Sequence, residues 1–187
     1  VDRIPGKKTT GDRGGAPPPA LRNGVRRSDA GAVRDIVSST GLFRPDEIGI
    51  AVELVEERLR SGPASGYHFL FAERGDRILG YSCYGPVPLT LHCYDLYWIA
   101  VRKEAQGMGI GRMLLEHSEK AIAALGGRRV YIETSSRPIY LDTRRFYERN
   151  GYRAEAVLKE FYSPGDAKVI YVKALEQDDA EGEKVRR

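Results

Sequence analysis

"QGMGIGRMLLEHSEKAIAALGG", Gln106 to Gly127, sets three alternating glycines, Gly107, Gly109 and Gly111, directly ahead of a long helical pattern. Glycine inside a helix costs roughly 1 kcal/mol relative to alanine, so a cluster at a helix start needs a reason. A helix N-terminus exposes unpaired N–H groups and the positive end of the helix dipole. Glycines let the backbone approach a ligand and adopt conformations that other residues avoid. Together they make an anion cradle, usually for phosphate. The plainer alternative is a helix cap with small residues for packing. The apolar strand before the glycines and Arg112 after them favour the cradle.

Spacing narrows the ligand. A P-loop would end in Gly-Lys-Ser/Thr, where Arg112-Met113 stands instead. The dinucleotide fingerprint G-x-G-x-x-G finds Arg112 in place of its third glycine when started at Gly107, and Leu114 when started at Gly109. Glu133 does lie about 20 residues on, where that fold keeps its ribose acid, so a dinucleotide stays as a minor alternative. The pattern that fits without a gap is Q-x-x-G-x-G, read as Gln106-Gly107-Met108-Gly109-Ile110-Gly111.

Outward from this loop, "YDLYWIAV" before it is a strand, and its last four residues are apolar on both faces, as in the middle of a sheet. The helix runs over 109–125, and "RRVYIET" follows it as a strand, a crossover unit. Further upstream, a short strand is expected near Val25-Arg26-Arg27, then a helix over "DAGAVRDIVSST" capped by Ser28 or Asp29. A second helix fits "DEIGIAVELVEERLRSG", with Ile48, Val52, Val55 and Leu59 at helical spacing. "YHFLFAER" and "RILGYSCYG" form a hairpin about Gly75-Asp76. Downstream, "DTRRFYERNGY" is a short helix stopped at Asn150-Gly151, and "AEAVLKEFY" and "KVIYVKAL" are two strands turning at Ser163-Pro164-Gly165. Strands and helices mixed around one sheet give an α/β or α+β domain.

The chain of 187 residues is long enough for one domain with a real core, and 41% hydrophobic with 30% charged residues is a globular balance. No apolar run spans a membrane and no apolar signal core is visible, so the expected location is cytoplasmic. Residues 1–24 are rich in Gly and Pro, with five basic residues against two acids. Residues 176–187 hold five acids against three bases. Both read as flexible tails around a domain at 25–175. The net charge of +4 is therefore spread over tail and body, too mild a surplus to indicate nucleic-acid binding. Cys83 and Cys93 make no metal spacing and are expected buried and reduced; no metal site is expected. Most of Phe43, Tyr67, Tyr84, Tyr97, Phe161 and Tyr162 are assigned to core packing.

The Gln106–Gly111 pattern resembles the acyl-CoA pyrophosphate loop of the GNAT superfamily of N-acetyltransferases. The strand ending "YWIAV", Glu133 on the next strand and "RRFYERNGYR" occur in the family's order and spacing, over roughly residues 25–175. The resemblance implies a single GNAT-like domain: a mixed sheet of about seven strands flanked by helices and splayed between the fourth and fifth. Acetyl-CoA, the acetyl donor, would lie along Ile99, Ala100 and Val101, with its pyrophosphate on Gln106, Gly107, Met108, Gly109, Ile110, Gly111 and Arg112. Arg102 and Lys103 are either further phosphate ligands or solvated loop charges. An amine of a small molecule or protein would attack directly in a ternary complex. Tyr147 would protonate the departing thiolate, Glu133 would act as base and Asp95 would orient the acceptor, with the two carboxylates open to exchanging roles. Many members hold the cofactor arm with an asparagine before the tyrosine helix; "SSRPIYLDTRRFY" has none, and Thr143 is its candidate substitute. Homodimerisation is a further expectation. The alternative function is a non-catalytic acyl-CoA-binding sensor or scaffold of the same fold.

Overall fold

The computed structural model describes residues 17–176. Its strands are β1 (Ala20–Asn23), β2 (His68–Arg74), β3 (Arg77–Pro86), β4 (Cys93–Val101), β5 (Arg129–Ser135), β6 (Arg153–Ser163) and β7 (Asp166–Ala174). Its helices are α1 (Asp29–Thr40), α2 (Pro45–Ser61), α3 (Ile110–Ala124) and α4 (Leu141–Arg149). One sheet takes the order β1-β2-β3-β4-β5-β7-β6. All its neighbours run antiparallel except β4 and β5, which are parallel and joined by the α3 crossover.

Each face of the sheet carries its own apolar layer. Leu70, Leu79, Leu96, Ile132 and Tyr147 pack with Ile110, Leu114 and Leu115 of α3 on one side. Phe69, Phe71 and Tyr81 pack with Val33, Ile36 and Val37 of α1 and Val55 of α2 on the other. Pro45 opens α2 where its missing N–H costs nothing, and Glu47 Oε2 accepts from the backbone N–H of Arg44 at 2.7 Å. Leu59, read as part of the apolar face of α2, is instead exposed to 38%. Cys83 is buried as expected, whereas Cys93 is only partly covered at the start of β4, and both are free thiols.

The first strand lies earlier than the sequence suggests. It falls at Ala20–Asn23, inside the stretch read as a tail, and pairs with Leu70–Glu73. Its anchor is Arg22, which donates to Asp29 (2.9 Å) and to Glu73 (2.6 Å) and stacks over Phe71. Asp29 is therefore not a surface cap; it is fully buried in the first turn of α1 and tied to Arg22. The rest of the expected tails, residues 1–16 and 177–187, lies outside the described residues. Deleting residues 1–22, harmless on the sequence reading, removes most of β1 and strands the Asp29 carboxylate. Arg22→Met alone is expected to cost about 2 kcal/mol, below the usual figure for a broken buried pair because the guanidinium keeps some solvent contact. Chemical denaturation of the two proteins checks this, and an unchanged midpoint refutes the anchoring role.

The site is prepared by two features of β4. A register shift against β3 pairs Cys83 with Trp98 and Tyr84 with Leu96, leaving Tyr97 as an extra bulged residue. A bulge bends a strand and re-aims its side chains. Against β5, β4 pairs only over Cys93–Asp95 with Arg129–Tyr131. From Leu96 to Val101 the two parallel strands part, as the family resemblance implied. Among the described residues, no helix is long and apolar enough to cross a membrane.

Candidate active site

Parting two strands exposes backbone groups that elsewhere would be paired. The opening continues into a cleft of about 1190 Å³ that runs from the glycine loop to the far end of β5. Ile99, Ala100, Val101, Gln106, Gly107, Gly109, Gly111, Arg112, Thr143 and Tyr147 all line it. Two residues of the expected pyrophosphate loop do not: Met108 is exposed, and Ile110, the first residue of α3, is buried in the core. Alternation along the loop explains this, since side chains that leave the cleft point to solvent or to the core, and only their backbone remains near the ligand path.

The loop geometry fits an anion. Gly107 and Gly109 both have φ of +78°, and no protein atom comes within 4 Å of where a Cβ would sit. Their glycine identity thus serves the backbone conformation, and the space in front of it is open. Gly109 caps α3, whose first turn holds no acid, so no side chain of that turn competes with a bound anion for its N–H groups and dipole. Gln106 Nε2 donates to the Val101 carbonyl at 3.2 Å, tying the loop to the end of β4. Arg112 stands exposed beside it, paired with Glu116 at 2.7 Å. Arg102 turns away, with Nε donating to the Ile78 carbonyl at 2.8 Å, while Lys103 lines the cleft.

Gly111 differs from its neighbours. A Cβ there would meet Phe146 at 3.7 Å and Val101 at 3.8 Å, ordinary contact distances, in normal helical backbone. Gly111→Val is therefore expected to leave folding intact and to weaken acetyl-CoA binding by roughly 10-fold or more, since the branched side chain fills the ligand's path. Calorimetric titration measures it; unchanged affinity in the folded variant contradicts the cradle. Gly109→Val is not an equivalent test, because its left-handed backbone strains any β-branched residue.

Tyr147 is almost wholly buried, with ring centroids 5.8 Å from Tyr152 and 6.1 Å from Tyr171. It both packs and lines the cleft. Phe146 lines the cleft as well, so both rings of the pair contribute to its wall. Burial pushes the Tyr147 phenol well up from its ordinary value, so it stays protonated.

At the other end, Glu133 lines the cleft and its Oε2 lies 2.6 Å from Lys168 Nζ. Asp95, on β4 opposite Tyr131 of β5, carries no ion pair or side-chain hydrogen bond among the described residues. Burial first, and the nearby Glu133 charge second, raise its carboxyl above the usual range, with Lys168 opposing. The structure brings Glu133 to the cleft wall, whereas Asp95 does not line the cleft. His92 and His117 are not part of the site: His92 bonds the Gly126 carbonyl and His117 the Met113 carbonyl.

The cleft also contains residues outside the nominated catalytic and cofactor-binding set. Asp166 is buried and accepts from Ser135 Oγ at 2.6 Å. Arg137 lies 3.8 Å from Asp166. Asn150, read only as a helix stop, lines the donor end and donates to the Phe146 carbonyl at 2.7 Å. Phe43 and Tyr67 line the cleft while packing against the core, Tyr97 and Tyr162 line it half-exposed, Phe161 is exposed, and Tyr84 is buried as assigned. No local motif marks these residues; the parting of β4 and β5 and the Tyr97 bulge bring them together. Among the described residues, no three His, Cys, Asp or Glu come together as a metal-ligand set.

Comparison with known proteins places the chain. A model of the acetyltransferase (GNAT) domain matches residues 65–154. A GNAT-family protein of Desulfovibrio desulfuricans is 50% identical, with a TM-score of 0.83 over 84% of this chain and 99% of that one. An uncharacterized N-acetyltransferase of Methanocaldococcus jannaschii is 32% identical over 56% of this chain and 65% of its own length, so the match spans just under two thirds of that relative. An aminoglycoside 6'-N-acetyltransferase complexed with coenzyme A shares the fold at 18% identity and a TM-score of 0.68, over 84% of this chain and 97% of that one. With the parallel β4–β5 pair, its opening and the glycine loop in place, the chain belongs to the GNAT family of acetyltransferases, which take acetyl-CoA as acetyl donor.

Proposed function

We propose that this chain transfers the acetyl group of acetyl-CoA to a primary amine of a small molecule or protein by direct attack in a ternary complex. The observation that carries this reading is one cleft holding three parts in order: a glycine-capped helix start, the unpaired edge of β4 beside Tyr147, and Glu133. Acetyl-CoA supplies an activated thioester when bound.

The protein's own residues divide the remaining work. The loop from Gln106 to Arg112 cradles the pyrophosphate with backbone N–H groups. The β4 edge at Ile99–Val101 accepts an extended ligand arm as a strand would be accepted. A backbone N–H near Ile99 or Ala100 stabilises the developing oxyanion. Tyr147, a neutral phenol at working pH, gives its proton to the leaving thiolate. An alkylamine is protonated at neutral pH, with an ordinary pKa near 10, so the attacking nitrogen must lose a proton. Glu133 takes it at the cleft wall, and the nearby Asp95 charge favours the ammonium there before transfer.

Mixing the protein with acetyl-CoA and a panel of primary amines tests the reading. Equal amounts of free CoA thiol and acetylated amine are the expected products. Tight acetyl-CoA binding with no turnover across the panel would point instead to a sensor or scaffold.

A further inference from the structure

The carboxylate read as the base is held by a partner outside the cleft. Glu133 lies on β5 opposite Ile170 of β7. Lys168, two residues before Ile170, therefore shares its face of the sheet as a diagonal neighbour, within reach of a long side chain. Lys168 Nζ sits 2.6 Å from Glu133 Oε2. Among the described residues neither side chain has another ion pair, and Glu133 Oε1 accepts no hydrogen bond. Glu133 is half-exposed and lines the cleft. Lys168 does not line it, and its side chain is only 13% exposed.

An irregularity of β6 covers Lys168. Leu158 pairs with Lys168 and Ser163 with Asp166, so β6 runs through residues 159–162 where β7 has only Ala167. Glu160, inside this excursion, has a φ of +54°, an unfavourable conformation for a residue other than glycine. The excursion sets the Phe161 ring centroid 3.8 Å from Lys168 Nζ and that of Tyr162 6.0 Å from it. Bulges re-aim side chains in this way beside functional sites. The ring face attracts the ammonium and fixes its place.

From this arrangement we infer that Lys168 is a positioning residue for acetyl transfer: it clamps one oxygen of Glu133 and leaves the other to meet the acceptor nitrogen. The inference rests on the reading of Glu133 as the base. A glutamate at a half-exposed strand position, left alone, samples several rotamers. A base works only within hydrogen-bond reach of the proton it takes. A displacement of about 1 Å costs on the order of 10²-fold in rate. An ammonium lodged between a ring and a strand removes that freedom while Oε1 stays open. Because Lys168 touches Glu133 and not the cleft, it acts through Glu133 alone.

Thiol release from saturating acetyl-CoA tests the clamp, with 2-phenylethylamine, 1,4-diaminobutane and glycinamide as acceptor probes. Lys168→Met is expected to lower kcat by roughly 10- to 10²-fold, with the KM of the amine and the Kd of acetyl-CoA nearly unchanged. The double variant Glu133→Gln/Lys168→Met is expected to be no slower than Glu133→Gln, because effects that pass through one residue do not add. Melting temperatures check that each variant folds, and Lys168→Gln takes the place of a methionine variant that does not. A near-parental kcat in the folded Lys168 variant overturns the positioning role and leaves Glu133 as base. So do losses that multiply in the double variant. Full activity in Glu133→Gln overturns the base and the clamp together. Acetyl-CoA binding without turnover of any probe by the parent protein overturns both, and acetyl transfer with them.

Discussion

Replacing Tyr147 by phenylalanine is expected to lower turnover by roughly 10²-fold or more, the usual contribution of a positioned acid or base. The change removes one hydroxyl and keeps the ring, so the contacts with Phe146, Tyr152 and Tyr171 survive. Folding should be unaffected, and so should acetyl-CoA affinity, because the phenol's contribution arises as the thiolate departs. A fall in kcat and kcat/KM together, with binding unchanged, is the signature of an interaction made in the transition state. Steady-state kinetics beside calorimetric titration separates the two. Full activity in Tyr147→Phe would leave water as the proton source and the tyrosine as a packing residue only.

The second large effect concerns the two carboxylates. If Glu133 is the base, Glu133→Gln loses roughly 10²–10⁴-fold in rate and the ascending limb of its pH–rate profile disappears. Asp95→Asn should keep that limb. The opposite pattern assigns the base to Asp95.

A stability measurement on the same variants is independent of activity. The Asp95 carboxyl is raised in the fold, chiefly by burial and next by Glu133. A raised carboxyl binds more protons in the folded than in the unfolded chain, so ionisation costs stability. That cost is absent below the ordinary value of 3.8, grows as pH rises toward the folded value, and is constant above it. Asp95→Asn is therefore expected to melt higher than the parent at neutral pH and to lose that advantage in acid. An Asp95→Asn protein less stable at neutral pH would mean that the carboxylate is a structural contact.

The sequence carried the glycine loop, the crossover and the tyrosine helix, because each is written locally. Gly107 and Gly109 sit at positions of positive φ that any reader of turn chemistry would assign to glycine. The parting of β4 from β5 was not written locally; it came from the family resemblance, since an unpaired strand edge has the composition of a paired one. Strand β1 was missed for a different reason. "ALRN" lacks an alternating apolar pattern, and its hold on the sheet comes from Arg22 reaching Glu73, far along the chain. The same distance hid the Glu133–Lys168 pair, which forms only once β5 and β7 align. The outward turn of Tyr97 depends on a one-residue register shift in β4, and nothing in "YDLYWIAV" marks the extra residue.

The most direct test of the account follows the backbone of β4. Hydrogen exchange in the full-length protein, with and without acetyl-CoA, reports which amides the ligand covers. The prediction is new protection over Leu96–Val101 and Gln106–Arg112, the open edge and the glycine loop, with no such change on adding NAD. Protection by NAD over the same segments, or acetyl-CoA protection that leaves Leu96–Val101 exchanging as before, would contradict the claim that this cleft is where the acetyl donor lies.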